Sequence, residues 1–146
     1  MSKERLFVIS CYFDGSNNAI FNCTNSILNN YNKPKIVVVD SDSPDKSYFD
    51  KLKLKSIEVL DAKNKNYDTG AYWIAFNKFH DYDNYYFLQD SIIIKENLIF
   101  YEKYSLTTFR YFLSINRVGG FIIDKTKKNF IKKLSDFFKR NKKIHD

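Results

Sequence analysis

Apolar residues along this chain fall into short unbroken runs, separated by stretches in which they recur at helical spacing. Residues 6–13 (LFVISCYF) form the first run, closed by Asp14-Gly15, which predicts a strand and a turn. Ile20, Cys23 and Ile27 then recur at helical spacing, so a helix is predicted over 16–30, with Ser16 able to cap it. Residues 35–40 (KIVVVD) hold four consecutive apolar residues, the pattern of a strand buried on both faces of a parallel sheet. Ser43-Pro44-Asp45 reads as a helix start, with the helix running to about Leu54. A short third strand follows at 56–60, then a polar loop at 61–67. Asp68 caps a predicted helix over 69–79, and 84–90 is a fourth strand, which 92–94 either continues or follows with another.

Beyond residue 97 the pattern weakens. Ser105 can cap a helix carrying Phe109, Phe112 and Leu113, and Gly119-Gly120 reads as a turn into a strand over 121–123. Phe130, Ile131, Leu134, Phe137 and Phe138 make one helical stripe with lysines opposite, a basic amphipathic helix at about 126–143. Strands alternating with helices predict an α/β fold: a mostly parallel sheet with helices on both faces. No repeat or linker divides the chain, so residues 1–146 are read as a single domain.

Composition narrows the picture. With 146 residues, 44% apolar and 28% charged, the chain is long enough for a packed core and too apolar for general disorder. A net charge of +7 favours phosphate-bearing partners without choosing among them. The stripe geometry of the last helix makes its Phe residues core rather than stacking platforms, so nucleic acid is not the favoured partner. Cys11 and Cys23 lie in an apolar run and on a helix face, without metal-ligand spacing. They read as buried reduced thiols in a cytoplasmic protein, and no apolar run is long enough to span a membrane.

In an open α/β sheet, ligands bind at the C-terminal ends of the strands. The residues there are Tyr12 and Asp14, Asp40 to Ser43, the 61–70 loop, and Gln89 to Ser91. Acids after both the second and fourth strands point to a functional cleft. Gly70 sits early in a predicted helix, where glycine costs roughly 1 kcal/mol against alanine. It implies a close approach by a ligand or a neighbouring strand, or tight helix-sheet packing. Asp90 offers a carboxylate to a hard cation such as Mg²⁺ or Mn²⁺.

The order of these motifs resembles the nucleotide-sugar-binding half of GT-A glycosyltransferases, the glycosyltransferase 2-like group. The matching segments are Cys11-Tyr12-Phe13-Asp14, Val39-Asp40-Ser41-Asp42-Ser43-Pro44-Asp45, Asn66 to Phe76, Tyr86 to Ser91, and Gly119 to Lys125. The resemblance implies a Rossmann-like GT-A fold and a hexosyltransferase-type activity. It implies a nucleotide-diphosphosugar donor and a glycan, lipid-linked or protein acceptor. Tyr12, Asp14 and Asp40 would surround the base and ribose. Asp42, Asp68, Gly70 and Gln89 would lie elsewhere along the donor, with Asp90 on a Mn²⁺ or Mg²⁺ ion. Gln89 stands where the family's metal motif has its first acid. Asp136 is the nearest candidate for the catalytic acid of the family's C-terminal half.

Two other readings compete. Asp40-Ser41-Asp42 is a literal DxD after a hydrophobic run, as in haloacid-dehalogenase-like phosphatases, with Asp40 as nucleophile and Asp42 as acid. Alternatively the chain is a non-catalytic module that binds nucleotide-sugars or an anionic surface. The basic helix could then hold it peripherally at the inner face of the membrane.

Overall fold

The structure, a computed structural model, describes residues 3–111 and 114–126, together with Lys132, Ser135, Asp136 and Lys139. Six strands are present: β1 (Arg5–Cys11), β2 (Lys35–Asp40), β3 (Glu58–Leu60), β4 (Asn84–Gln89), β5 (Leu106–Tyr111) and β6 (Ser114–Asp124). Three helices join the first four strands: α1 (Ala19–Asn30), α2 (Tyr48–Lys53) and α3 (Tyr67–Lys78). A 3-10 helix, Ile99–Lys103, precedes β5.

The strands form one mixed sheet in the order β3-β2-β1-β4-β6-β5. β3, β2, β1 and β4 pair in parallel, and β6 runs antiparallel between β4 and β5. The expected α/β architecture is therefore present, with helices on both faces. Alternate residues of each central strand face opposite layers. Phe7, Ile9, Ile36, Val38, Tyr86 and Leu88 pack under α1 and α2, whose Ile20, Cys23, Ile27 and Leu52 complete that core. Leu6, Val8, Val37, Val39, Tyr85 and Phe87 pack under α3 through Ala71, Tyr72 and Ala75. Both cysteines are free and buried; burial pushes their thiols up, that of Cys23 to about 12.

Several predicted boundaries move, each for a local reason. α1 starts at Ala19 because Ser16 does not cap it; its N–H donates to Asp14 and the Ala19 N–H donates to Asn17. α2 starts only at Tyr48, because the Ser43 hydroxyl accepts from the Phe13 N–H and Asp45 folds back on Ser47. Asp68 lies within the first turn of α3 rather than capping it. Residues 92–94 are not a strand.

Two expectations are overturned outright. The helix expected after Ser105 is strand β5, drawn out by its pairing with β6. Gly119-Gly120 is not a turn but lies inside β6. A Cβ on Gly120 would meet the Phe87 carbonyl oxygen at 2.6 Å, so glycine there lets β6 lie against β4. The β5–β6 pairing shifts register between Phe109 and Arg110 and again between Arg110 and Tyr111. The predicted basic helix at about 126–143 lies largely outside the described residues; of those described there, Thr126 is in a turn and Lys132, Ser135, Asp136 and Lys139 are helical. No described helix is long and apolar enough to cross a membrane.

Candidate donor-binding crevice

The chain steps outward from β1 to β2 and β3, then returns to place β4 on the other side of β1. That reversal is a topological switch point, where open α/β sheets leave a crevice above the strand ends. Tyr12 follows β1 there and Gln89-Asp90 closes β4. The Asp90 N–H donates to the Ser10 carbonyl at 3.2 Å, tying the two strand ends together.

Asp90 is largely withdrawn from solvent. Burial pushes its carboxyl above the usual range, the Tyr12 N–H and the Cys11 thiol oppose this, and the nearby Asp68 charge adds to it. Gln89 donates its side-chain amide to the Asp68 carboxylate. Gln89 thus fixes an acid brought from the first turn of α3. No lysine or arginine among the described residues pairs with Asp68 or Asp90.

Asp40 has a different place. It is fully buried, accepting from the Tyr48 hydroxyl at 2.7 Å and the Ser43 N–H at 3.0 Å, with Lys46 4.0 Å away. Its carboxylate shapes the loop after β2. That loop is also stitched to β1 by the Ser41 N–H to the Cys11 carbonyl at 2.8 Å. Asp42 is exposed with φ +56°. Asp14 is exposed in a turn, where the hydroxyl and N–H of Ser16 hold its carboxyl below the usual range. The phosphatase reading does not survive this geometry, since the would-be nucleophile Asp40 is buried with both oxygens engaged. Asp136 makes no hydrogen bond or ion pair with the crevice residues among the described residues.

Gly70 is explained by Asn64, a residue that the sequence pattern does not single out. The Asn64 side chain is buried and lies where a Cβ on Gly70 would be, with its Oδ1 only 2.2 Å from that position. Its amide donates to the Tyr67 carbonyl at 2.7 Å and the Ser41 hydroxyl at 3.2 Å, and its oxygen accepts from the Asn66 N–H at 3.0 Å. Gly70 therefore admits the chain's own loop. The pair Asn64 and Gly70, six residues apart with Asn66 between, was the available signal.

No family model matches the chain, and no curated protein matches it. Solved structures do. The apo-form glycosyltransferase GlyE of Streptococcus pneumoniae TIGR4 superposes with a TM-score of 0.61 at 16% identity, over 99% of this chain and 40% of GlyE. S. aureus TarS 1-349 gives 0.54 at 17% identity, over 70% of this chain and 34% of that one. A longer S. aureus TarS chain gives 0.53 at 19% identity, over 67% and 18%. This is a glycosyltransferase fold. The chain spans less than half the length of each of these three chains.

Within the glycosyltransferase fold, the donor set at the crevice bears on a cation. No three His, Cys, Asp or Glu side chains converge among the described residues. Two carboxylates do approach each other, partly buried and without a basic partner. Mg²⁺ and Mn²⁺ keep several waters and take substrate phosphate oxygens, so one or two protein carboxylates suffice. The residues present fit such an ion.

Proposed function

We propose that this chain binds a nucleotide-diphosphosugar in the crevice above β1 and β4, in the manner of GT-A glycosyltransferases, and passes the sugar to an acceptor hydroxyl. The observation that carries this reading is the placement of Asp90 and Asp68 at the switch point of a glycosyltransferase fold. In the transfer, the acceptor oxygen bonds to the anomeric carbon as the bond to the diphosphate oxygen breaks, the nucleoside diphosphate leaves, and the acceptor's hydroxyl proton passes to the solvent. Asp90, with Asp68 beside it, would hold a divalent cation, which supplies positive charge to the leaving diphosphate. Gln89 keeps the Asp68 carboxylate turned to that position. Asp40, through Tyr48 and Ser43, sets the loop that lies under the nucleoside.

A thermal-shift screen against UDP-, GDP-, CMP- and dTDP-sugars, with and without Mn²⁺, tests the reading. A Mn²⁺-dependent rise with one donor, lost in Asp90→Asn, is expected. Asp40→Ala should weaken binding with or without metal. A folded wild type that responds to no donor overturns the proposal.

A further inference from the structure

Tyr67 opens α3 with φ +52°, a left-handed conformation that bulky side chains rarely adopt. Such a residue persists only where its surroundings enforce it. The surroundings here are the buried Asn64, whose amide grips the Tyr67 carbonyl at 2.7 Å, and Gly70, whose missing Cβ makes room for Asn64. A buried amide, a helix glycine and a left-handed tyrosine are three separate departures from what local structure favours, and all three converge on one position.

What they hold in place is exposed. Tyr67 is 81% accessible. Its ring packs on no other aromatic ring, and its hydroxyl has no hydrogen-bond partner, among the described residues. Trp73, also exposed, stacks on Phe76 instead. Packing therefore does not account for the conformation of Tyr67.

Its location does. On one side, Asn64 ties this segment to Ser41 at the tip of β2. On the other, the next residue, Asp68, is tied to Gln89 at the tip of β4. β1 lies between those two strands and is followed by Tyr12, itself 60% exposed. The Tyr67 segment thus runs from the tip of β2 to the tip of β4, across the end of β1 and next to the Asp68 carboxylate. An aromatic face offers nothing to phosphate but stacks on any planar heterocycle.

We propose that Tyr67 is the stacking residue for the nucleobase of the bound nucleotide, held ready by Asn64 and Gly70. This rests on the donor-binding reading above. Stacking is tolerant of base identity, so Tyr67 contributes affinity to pyrimidine and purine nucleotides alike, rather than choosing between them.

The test is calorimetric titration of UDP and GDP, with Mn²⁺, into wild type, Tyr67→Phe, Tyr67→Leu and Tyr67→Gly. Glycine accepts the left-handed conformation without strain, so Tyr67→Gly keeps the loop and should melt no lower than wild type. Expected are affinities within about twofold for Tyr67→Phe. Tyr67→Leu and Tyr67→Gly should lose about tenfold or more for both nucleotides, ~1.4 kcal/mol per tenfold. Wild-type affinity in Tyr67→Gly or Tyr67→Leu overturns the stacking role and leaves the donor reading standing. So does a loss in Tyr67→Phe as large as in Tyr67→Gly, which would put the contact on the hydroxyl. If wild type binds neither UDP nor GDP, this reading falls; the donor reading falls with it only if CMP and dTDP also fail to bind.

Discussion

Acids at the two ends of the sheet are not held alike: Glu102 and Asp124 at one end and Asp40 at the other are buried and engaged, whereas the partly buried Asp90 is not paired with any base among the described residues. At the N-terminal end, Glu102 is almost fully buried, yet each of its oxygens is engaged. Arg5 meets it through two nitrogens, at 2.5 and 3.0 Å, Tyr86 donates its hydroxyl at 2.5 Å, and Asn84 its amide at 3.3 Å. Nearby, the buried Asp124 pairs with Lys3 at 2.8 Å and accepts from Thr126. At the C-terminal end, Asp90 has another carboxylate for a neighbour and no cation from the described residues. A buried acid is thus not itself a mark of function. Glu102, with its charge met by Arg5, works as a clamp; Asp90, raised by burial and beside Asp68, has no basic partner among the described residues.

The contrast can be broken most sharply at Glu102. Glu102→Ala leaves Arg5, Tyr86 and Asn84 without their shared acceptor. It should lower unfolding free energy by ~3 kcal/mol in denaturant titration. Gly70→Ala comes next. It drives a Cβ into Asn64, and the overpacking should outweigh the better helix propensity of alanine, for a net loss of about 1–2 kcal/mol. The same variant should weaken nucleotide binding, because the Asn64 loop must move.

A smaller effect separates the two ends by pH. Burial acts to raise the Asp124 carboxyl, but Lys3 and Thr126 outweigh it and hold it below the usual range. A carboxyl depressed in the folded state adds stability above its unfolded value, and loses it as pH falls through the folded one. Lys3 is partly exposed, so Lys3→Ala should cost only about 0.5 kcal/mol at neutral pH. That difference should fade as acid protonates Asp124.

The smallest effect has the opposite sign. Asp90 is raised, chiefly by burial, so the folded state holds its proton more tightly than the unfolded chain does. Its contribution to stability therefore falls as pH rises from the ordinary carboxylate range through its raised value. Asp90→Asn removes that loss and should be neutral or more stable by a few tenths of a kcal/mol at neutral pH, while losing Mn²⁺-dependent donor binding. A clear destabilisation would make Asp90 a clamp like Glu102 and erase the comparison.

Much of this was legible in the sequence. β1, β2 and β4 are unbroken apolar runs because both faces are covered, and runs this short, bounded by turn residues, favour strands over buried helices. The polar strand ends that make the crevice followed from those assignments. What could not be read was pairing. Nothing in Asp40 distinguishes it from Asp90 until Tyr48 and Ser43 are seen to fill its oxygens. Asn64 looked like one more polar loop residue, and its role depends on a contact with a glycine that has no side chain to announce it. β5 was misread because Phe109, Phe112 and Leu113 mimic helical spacing, whereas the strand exists only through its ladder with β6.

The register shifts in that ladder bear on how the molecule meets its own kind. An open sheet has two free edges, and each is a row of unpaired backbone groups on which another chain could continue the sheet. Here one edge is β3, only three residues long, with Glu58 bridged to Lys35 and Lys78. The other is β5, irregular over Phe109 to Tyr111, so a visiting strand finds a straight ladder only along Leu106 to Phe109. The same fold that opens a crevice at the strand ends thus blunts its sides against aggregation.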